Sequence, residues 1–446
     1  MIDSRNGGAL TMKRVCFGLL LALGLFQGAL AQRVTIHFWN AMGGSLATTL
    51  NGLIAQFEQQ YPQYHIVNDY KGDYPTLLTS LVAAYRAGHP PAIAQVYEIG
   101  TALMMSERQA IVPVQTLMTQ AGYPLTPNTF LPAIGYYYAS RQGQLMSLPF
   151  NSSSPVMYVN RAEFKRAGLT LADIPRTWPE VKSIGLRLQA AGVHCAITTA
   201  WPAWIQLEEL SAWHNVPYAS ADNGFASFDV KALYDNPMVI HHVAFLAQLE
   251  RQHLFEYGGQ GDSAESLFTS GQCAMMLESS GARGGIEHNV GFPVSVAMMP
   301  YWPNVKGAPQ NTIIGGASLW VVRGQSKAVY QGVATFFHFL LEPKTQLEFQ
   351  RQTGYLPLTH AGFAYAKKLG YYRDTPGAIV AVRELTNKAP TAYSRGIRLG
   401  NFPQIRVVNN TALESVFSGQ ATAAQALHRA ARQADVLLNR FSEMTQ

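Results

Sequence analysis

Between residues 34 and 96 the chain switches repeatedly between two hydrophobic periods, and this alternation restricts its fold more than any other feature. Val34-Thr35-Ile36-His37-Phe38-Trp39 has the composition of a strand, and Leu46, Leu50, Leu53, Ile54 and Phe57 then recur at helical spacing. Residues 65–69 form a second predicted strand. Pro75 opens a helix with the apolar face Leu77, Leu78, Leu81, Val82 and Tyr85, closed by Gly88 and followed by Pro90-Pro91. A third strand is predicted at 92–96. This βαβαβ order predicts a largely parallel sheet, and open parallel sheets bind ligands beyond the carboxyl ends of their strands. Here those ends are the stretches 39–44, 70–74 and 97–101.

The alternation resumes after Pro149-Phe150-Asn151-Ser152-Ser153-Ser154-Pro155, which sets three adjacent hydroxyls between two prolines, ahead of a strand-like run at 156–160. Two readings stand for it, a serine-rich surface turn and a ligand-facing crossover. Thr177-Trp178-Pro179-Glu180 is a capping-box start for a helix with the buried stripe Val181, Ile184 and Leu188. Further strands are predicted at 193–198, 273–277, 294–299 and 313–321, and helices at 238–249 and 328–341. A last helical pattern runs through Ala423, Leu427, Ala430, Ala434, Leu437 and Phe441. The strand at 273–277 leads into Glu278-Ser279-Ser280-Gly281-Ala282, whose backbone amides suit an oxyanion cradle or simply a turn. A chain of 446 residues with 48% hydrophobic content is too long for one compact domain. The expectation is two α/β lobes connected more than once.

The N-terminus indicates export. Met12-Lys13-Arg14 precedes an apolar run at 15–25 and an Ala29-Leu30-Ala31 cleavage site, a signal peptide occupying 1–31. Cys16 lies at the front of the apolar run, away from a lipoprotein's acylation position, so we expect a soluble periplasmic protein. The formal charge of +6, without a Lys/Arg-rich run, excludes an ordinary nucleic-acid binder. Cys195 and Cys273 remain after export. Both border apolar runs, and the sequence does not place them within bonding distance, so we expect buried free thiols, with pairing left open. His241-His242 fall in a helical pattern as surface and core neighbours. No CxxC or HExxH occurs, and no GxSxG, metal-ligand cluster or adjacent carboxylate pair supports catalysis, so we expect no metal, no cofactor and no enzyme.

Seven blocks carry a resemblance across residues 34–441: Tyr74, QVYEIGTALMM, PFNSSSPVMY, WPAWIQLE, IIGGASLW, TGYLPLT and RLGNFPQIR, in that order. They resemble the periplasmic sn-glycerol 3-phosphate-binding proteins of ABC importers, within the family 1 extracellular solute-binding proteins. The resemblance implies a two-lobed periplasmic binding protein fold, type II-like, whose lobes close over ligand. It places hinge crossovers near 149–155, 298–301 and 341–344. One lobe is then 32–150 plus 299–342, the other 151–298 plus 343–446. The implied partners are a glycerol phosphate ligand and membrane-spanning permease subunits, with the protein itself a monomer.

By motif, Tyr74, Glu98, Ser153, Ser279, Gly316, Tyr355 and Arg406 would line the ligand, with Trp201 as an aromatic wall. Ser280 and Gly315 are alternatives to Ser279 and Gly316. The family loop has Ser-Ser-Gly-Ser, so Ala282 lacks one hydroxyl. On this reading Arg406 offers phosphate a planar fork, while Ser153, Ser279 and the Gly316 amide add neutral donors. Glu98 would accept from glycerol hydroxyls at the end opposite Arg406, with Tyr74. Trp201 would pack on the glycerol carbons or face a choline ammonium. Without the resemblance, Arg406 is a surface arginine, Glu98 a helix N-terminal carboxylate and Trp201 a packing residue. A neutral-oligosaccharide receptor of the same fold and a secreted phosphodiesterase are the competing functions.

Overall fold

The computed structural model describes residues 33–445, so the expected signal peptide lies outside the described residues. Eleven strands form two sheets among these residues. The first sheet contains β1 (Val34–Asn40), β2 (Tyr64–Tyr70), β3 (Ile93–Tyr97), β4 (Ile111–Val112), β5 (Leu148–Pro149) and β11 (Ala317–Val322). The second contains β6 (Pro155–Asn160), β7 (Cys195–Thr199), β8 (Phe255–Glu256), β9 (Cys273–Ser279) and β10 (Val294–Ala297). In the first sheet β2, β1 and β3 pair in parallel, as the βαβαβ alternation predicts. The expectation of a largely parallel sheet fails beyond β3. There β11 pairs antiparallel with β3, β4 and β5, because it comes across from the second sheet and not over a helix returning from β3. The second sheet is mixed for the same reason, with β6 antiparallel to β9 and β10 while β7 is parallel to β8 and β9.

Helices form where the periodicity and caps put them. Gly44–Gln60 buries Leu50, Leu53, Ile54 and Phe57 against the first sheet, while Phe336 of the Lys327–Leu341 helix packs on Phe57 with ring centroids 5.0 Å apart. Asp73 caps Tyr74–Arg86 by accepting from the Thr76 amide at 2.9 Å. Its apolar face is narrower than expected: Leu77, Leu78 and Leu81 are buried, and Tyr85 is exposed at the far edge. The capping box at Thr177 and Glu180 is present, and Val181, Ile184 and Leu188 are buried behind it. His242 is buried and His241 exposed, as expected of neighbours on opposite faces.

The two sheets are linked where the proline-bounded loop passes from β5 to β6. Asn151, Ser152, Ser153 and Ser154 are all buried, so this is a crossover and not a surface turn. It is gripped from several sides. Ser153 and Gly315 exchange backbone hydrogen bonds of 3.1 and 3.0 Å, the Leu356 amide donates to Ser152, and the Ser280 amide donates to Ser154. The return link leaves β10 but stays with the second sheet's helices for longer than residue 301. The Gln310 amide donates to the Trp213 carbonyl and the Ile313 amide to the Glu209 carboxylate. It meets the first crossover at Thr312, whose hydroxyl shares a 2.7 Å hydrogen bond with that of Ser154, and again at Gly315.

Cys195 and Cys273 form a disulfide, which corrects the expectation of free thiols. Their burial was legible from the apolar runs. What the runs do not reveal is that β7 and β9 register Cys195 directly against Cys273, bringing their Cα atoms to 4.5 Å across 78 residues. Glu256 lies beside the pair, but sulfurs joined to each other are not thiolate ligands for a metal.

Candidate ligand-binding site

β3 delivers its carboxyl end to a short 3₁₀ turn, Glu98–Gly100, where the Glu98 amide donates to the Gly316 carbonyl at 2.9 Å. Gly316 has φ +89°, and a Cβ there would overlap the Asn151 carbonyl, so glycine is required for the two crossovers to approach. Gly315 is constrained too, since a side chain would run into the Trp204 ring. Trp204 begins a π-helical turn, Trp204–Glu209, whose consecutive acids Glu208 and Glu209 serve different partners. Glu209 accepts from the Ile313 amide, and Glu208 faces Arg406.

Arg406 sits on the Phe402–Phe417 helix, which packs against Ala423–Thr445, Pro237–Arg251 and the Glu98 turn. Its Nε donates to Glu208 Oε1 at 2.9 Å, and its Nη2 donates to Glu208 Oε2 and to Glu98 Oε1, both at 2.6 Å. The three side chains are only 13%, 2% and 8% exposed for Arg406, Glu208 and Glu98. Burial pushes the Glu208 carboxyl up to about 7, with Arg406 pulling it back down and Glu98 adding to the rise. Burial also opposes the charge on Arg406, but the two carboxylates outweigh it and hold the guanidinium well above its ordinary range. The guanidinium therefore stays charged.

A neutral hydrogen-bond chain forms the other part of the site. Gln95 accepts the Ala41 amide at 2.7 Å and donates to Asn151 Oδ1 at 2.9 Å. Asn151 Nδ2 then donates to both the Tyr74 hydroxyl, at 2.9 Å, and the Tyr355 hydroxyl, at 3.1 Å. Burial raises both phenols above their usual range, so they remain protonated. Tyr74 stacks on Tyr97, and Tyr355 on Phe349. Gly281 closes against the Tyr355 ring where a side chain would not fit. Ser279 Oγ accepts the Gly281 amide at 3.1 Å, which leaves its own proton for another acceptor.

Six of the eight expected residues are drawn together by these contacts. Glu98 meets Arg406 directly and Gly316 through its backbone, Tyr74 and Tyr355 share Asn151, and Ser279 joins Tyr355 through Gly281. Ser153 contributes backbone bonds to the crossover pair. Trp201 is apart: no hydrogen bond among the described residues joins it to the other seven. It is tied to Gly261 by its amide, with φ +46°, and its indole opposes the burial that raises the Glu278 carboxyl. Two expectations need correction. Glu98 and Arg406 were placed at opposite ends of a ligand, yet they form an ion pair, because a buried guanidinium requires counter-charge. The planar fork assigned to phosphate is also taken, since Nε and Nη2 both engage Glu208.

Glu208, Asn151 and Gln95 were not singled out in the sequence, although each lies inside a quoted block. For Gln95 the signal was a polar residue within an otherwise apolar strand, whereas Asn151 and Glu208 stand beside other polar residues. In RLGNFPQIR the first arginine has a separate task. Arg398 is buried, with burial pushing it down to about 10, and donates to the Tyr137 and Ala139 carbonyls at 3.1 and 2.6 Å. Tyr137 in turn places its hydroxyl 2.9 Å from the Glu98 carbonyl oxygen and 2.8 Å from that of Ile397.

Comparison with known proteins agrees with this architecture. The chain is 42% identical over 438 residues to the sn-glycerol-3-phosphate-binding periplasmic protein UgpB of Salmonella typhi, covering 98% of this chain and 100% of that one. It is 43% identical over 428 residues to the protein of the same name from Escherichia coli O1:K1, covering 96% and 98%. Among solved structures, UgpB of Mycobacterium tuberculosis in complex with glycerophosphocholine superposes with a TM-score of 0.76 at 21% identity, covering 91% of this chain and 98% of that one. Maltose-bound MalE3 of T. maritima superposes at 0.74 and 17%, covering 91% and 100%. These two show a shared two-lobed fold. The model of the bacterial extracellular solute-binding proteins matches residues 43–347. With that match and the full-length identity, the chain belongs to the bacterial extracellular solute-binding protein family.

Proposed function

We propose that this protein is the periplasmic substrate-binding component of an ABC importer, capturing sn-glycerol 3-phosphate or a glycerophosphodiester such as glycerophosphocholine between its lobes. The observation that carries this reading is a permanently charged, largely buried guanidinium, Arg406, held by Glu98 and Glu208 in a site that also carries the neutral hydroxyls of Tyr74 and Tyr355. Such a group suits a phosphate head, and the hydroxyls suit glycerol. The names of the full-length relatives point the same way. In this arrangement phosphate contacts Arg406 with Ser153, Ser279 and the Gly316 amide, and glycerol hydroxyls meet Tyr74 and Tyr355. Trp201 flanks the glycerol carbons or a choline ammonium.

Lobe boundaries follow the division 32–150 plus 299–342 against 151–298 plus 343–446, with the second crossing drawn closer to Gly315 because residues 310–313 bond to second-sheet helices. Cleavage near Ala31 releases a monomer that delivers ligand to permease subunits. Among the described residues no helix is long and apolar enough to cross a membrane. The protein binds without turnover, so incubation with glycerophosphocholine should release no choline. Calorimetric titration is the decisive test: one saturable site for sn-glycerol 3-phosphate and glycerophosphocholine, none for maltose. Saturable maltose binding with silence from both phosphates would replace this reading by an oligosaccharide receptor.

A further inference from the structure

Arg406 is held unsymmetrically. Glu208 takes Nε and Nη2, Glu98 shares Nη2, and among the described residues Nη1 carries no hydrogen-bond partner. With both carboxylates ionised, the group has two negative charges against one positive in a nearly dry setting. An arriving phosphate adds a third anion. We propose that Glu208 is the charge-setting and positioning residue of the site, fixing Arg406 so that its Nη1 edge meets the anion and drawing a proton from solvent in part of the molecules as the anion binds. This rests on the proposed function and deepens it.

Glu208 is the better placed of the two acids for that proton. It is the more deeply buried, and the other groups that bear on it cannot supply a second cation. Glu98 lies across Arg406, Glu209 is its chain neighbour, and Tyr137, Tyr218 and Tyr234 are neutral phenols around it. Its carboxyl already stands near neutrality, so a nearby anion shifts it across the working pH range. A monoanionic diester is then accepted with up to about half a proton taken up, as a one-unit rise from near 7 allows. A dianionic monoester suffers more once Glu208 is ionised, so selectivity should move toward the diester as pH rises.

Glycerophosphocholine is the cleaner probe, because its phosphodiester does not titrate near neutrality. In calorimetry across buffers of different ionisation enthalpy, wild type should take up protons on binding it. Affinity should fall about fivefold from pH 6 to pH 8, as expected if the anion moves a group near 7 upward by about one unit. Glu208→Gln should bind with no uptake and a flat profile, whereas Glu98→Gln and Glu208→Asp should keep the slope. Wild-type binding without proton uptake overturns the role of Glu208, as does an unchanged slope in Glu208→Gln or its loss in Glu98→Gln. Silence of wild type toward both glycerol phosphates at every pH overturns the proposed function itself, and this role with it.

Discussion

In one part of the site Arg406 is fixed by two carboxylates, and in the other Tyr74 and Tyr355 are fixed by a single amide, that of Asn151. Both parts are buried, but they respond differently to disturbance. Removing one member of a buried ion group leaves uncompensated charge, whereas removing a neutral donor leaves two hydroxyls that can turn elsewhere. The charged part should therefore be brittle and pH-sensitive, and the neutral part tolerant and insensitive to pH.

Arg406→Ala gives the largest expected effect. It strands Glu98 and Glu208 without a cation, and breaking a buried pair in this way costs about 3–5 kcal/mol. The folded Glu208 carboxyl already sits above its unfolded value, so its contribution is present at low pH and lost as pH rises through the folded value. Without Arg406 that folded value climbs further. Thermal unfolding should thus show a greater deficit at pH 8 than at pH 5, together with loss of glycerol phosphate binding. An equal deficit at both pH values would break the contrast between the two parts.

Gly316→Ala comes next, testing the joint between the parts. A left-handed φ alone costs a non-glycine residue about 1–3 kcal/mol, and overlap with the Asn151 carbonyl adds to it. Both the Glu98 turn, held by the Gly316 carbonyl, and Asn151 should be displaced. Loss of stability with unchanged ligand affinity would separate the crossover from the site. The smallest effect belongs to Asn151→Ala, which removes three neutral hydrogen bonds, two of them to the tyrosines, each worth about 1 kcal/mol net. We expect roughly tenfold weaker binding, by calorimetry at pH 6 and pH 8 alike. A marked pH dependence of that loss would show that the tyrosines are coupled to the acids after all.

Where a feature depends on residues a few positions apart, it was legible in the sequence. The Thr177–Glu180 capping box, the Gly44–Gln60 stripe and the three parallel strands at 34–96 are of this kind, since hydrophobic period and local hydrogen bonds act within a turn or a pleat. The positions of Tyr74 and Glu98 just beyond the carboxyl ends of β2 and β3 were legible too. The antiparallel entry of β11 and the Cys195–Cys273 bond were not legible, because each depends on how a segment returns after a long excursion.

The motif blocks named Arg406 and Glu98 as chemistry-bearing residues, and their types alone require counter-charge and burial to be reconciled. Which groups do this was decided by the tertiary structure. Arg406 meets Glu98 from 308 residues away and Glu208 from 198, through the Trp204–Glu209 turn whose path depends on Gly315. A sequence states that a guanidinium is present and always charged. Only the packed chain determines which of its N–H edges are already taken, because a buried cation must be neutralised by whichever carboxylates the fold brings within hydrogen-bond reach.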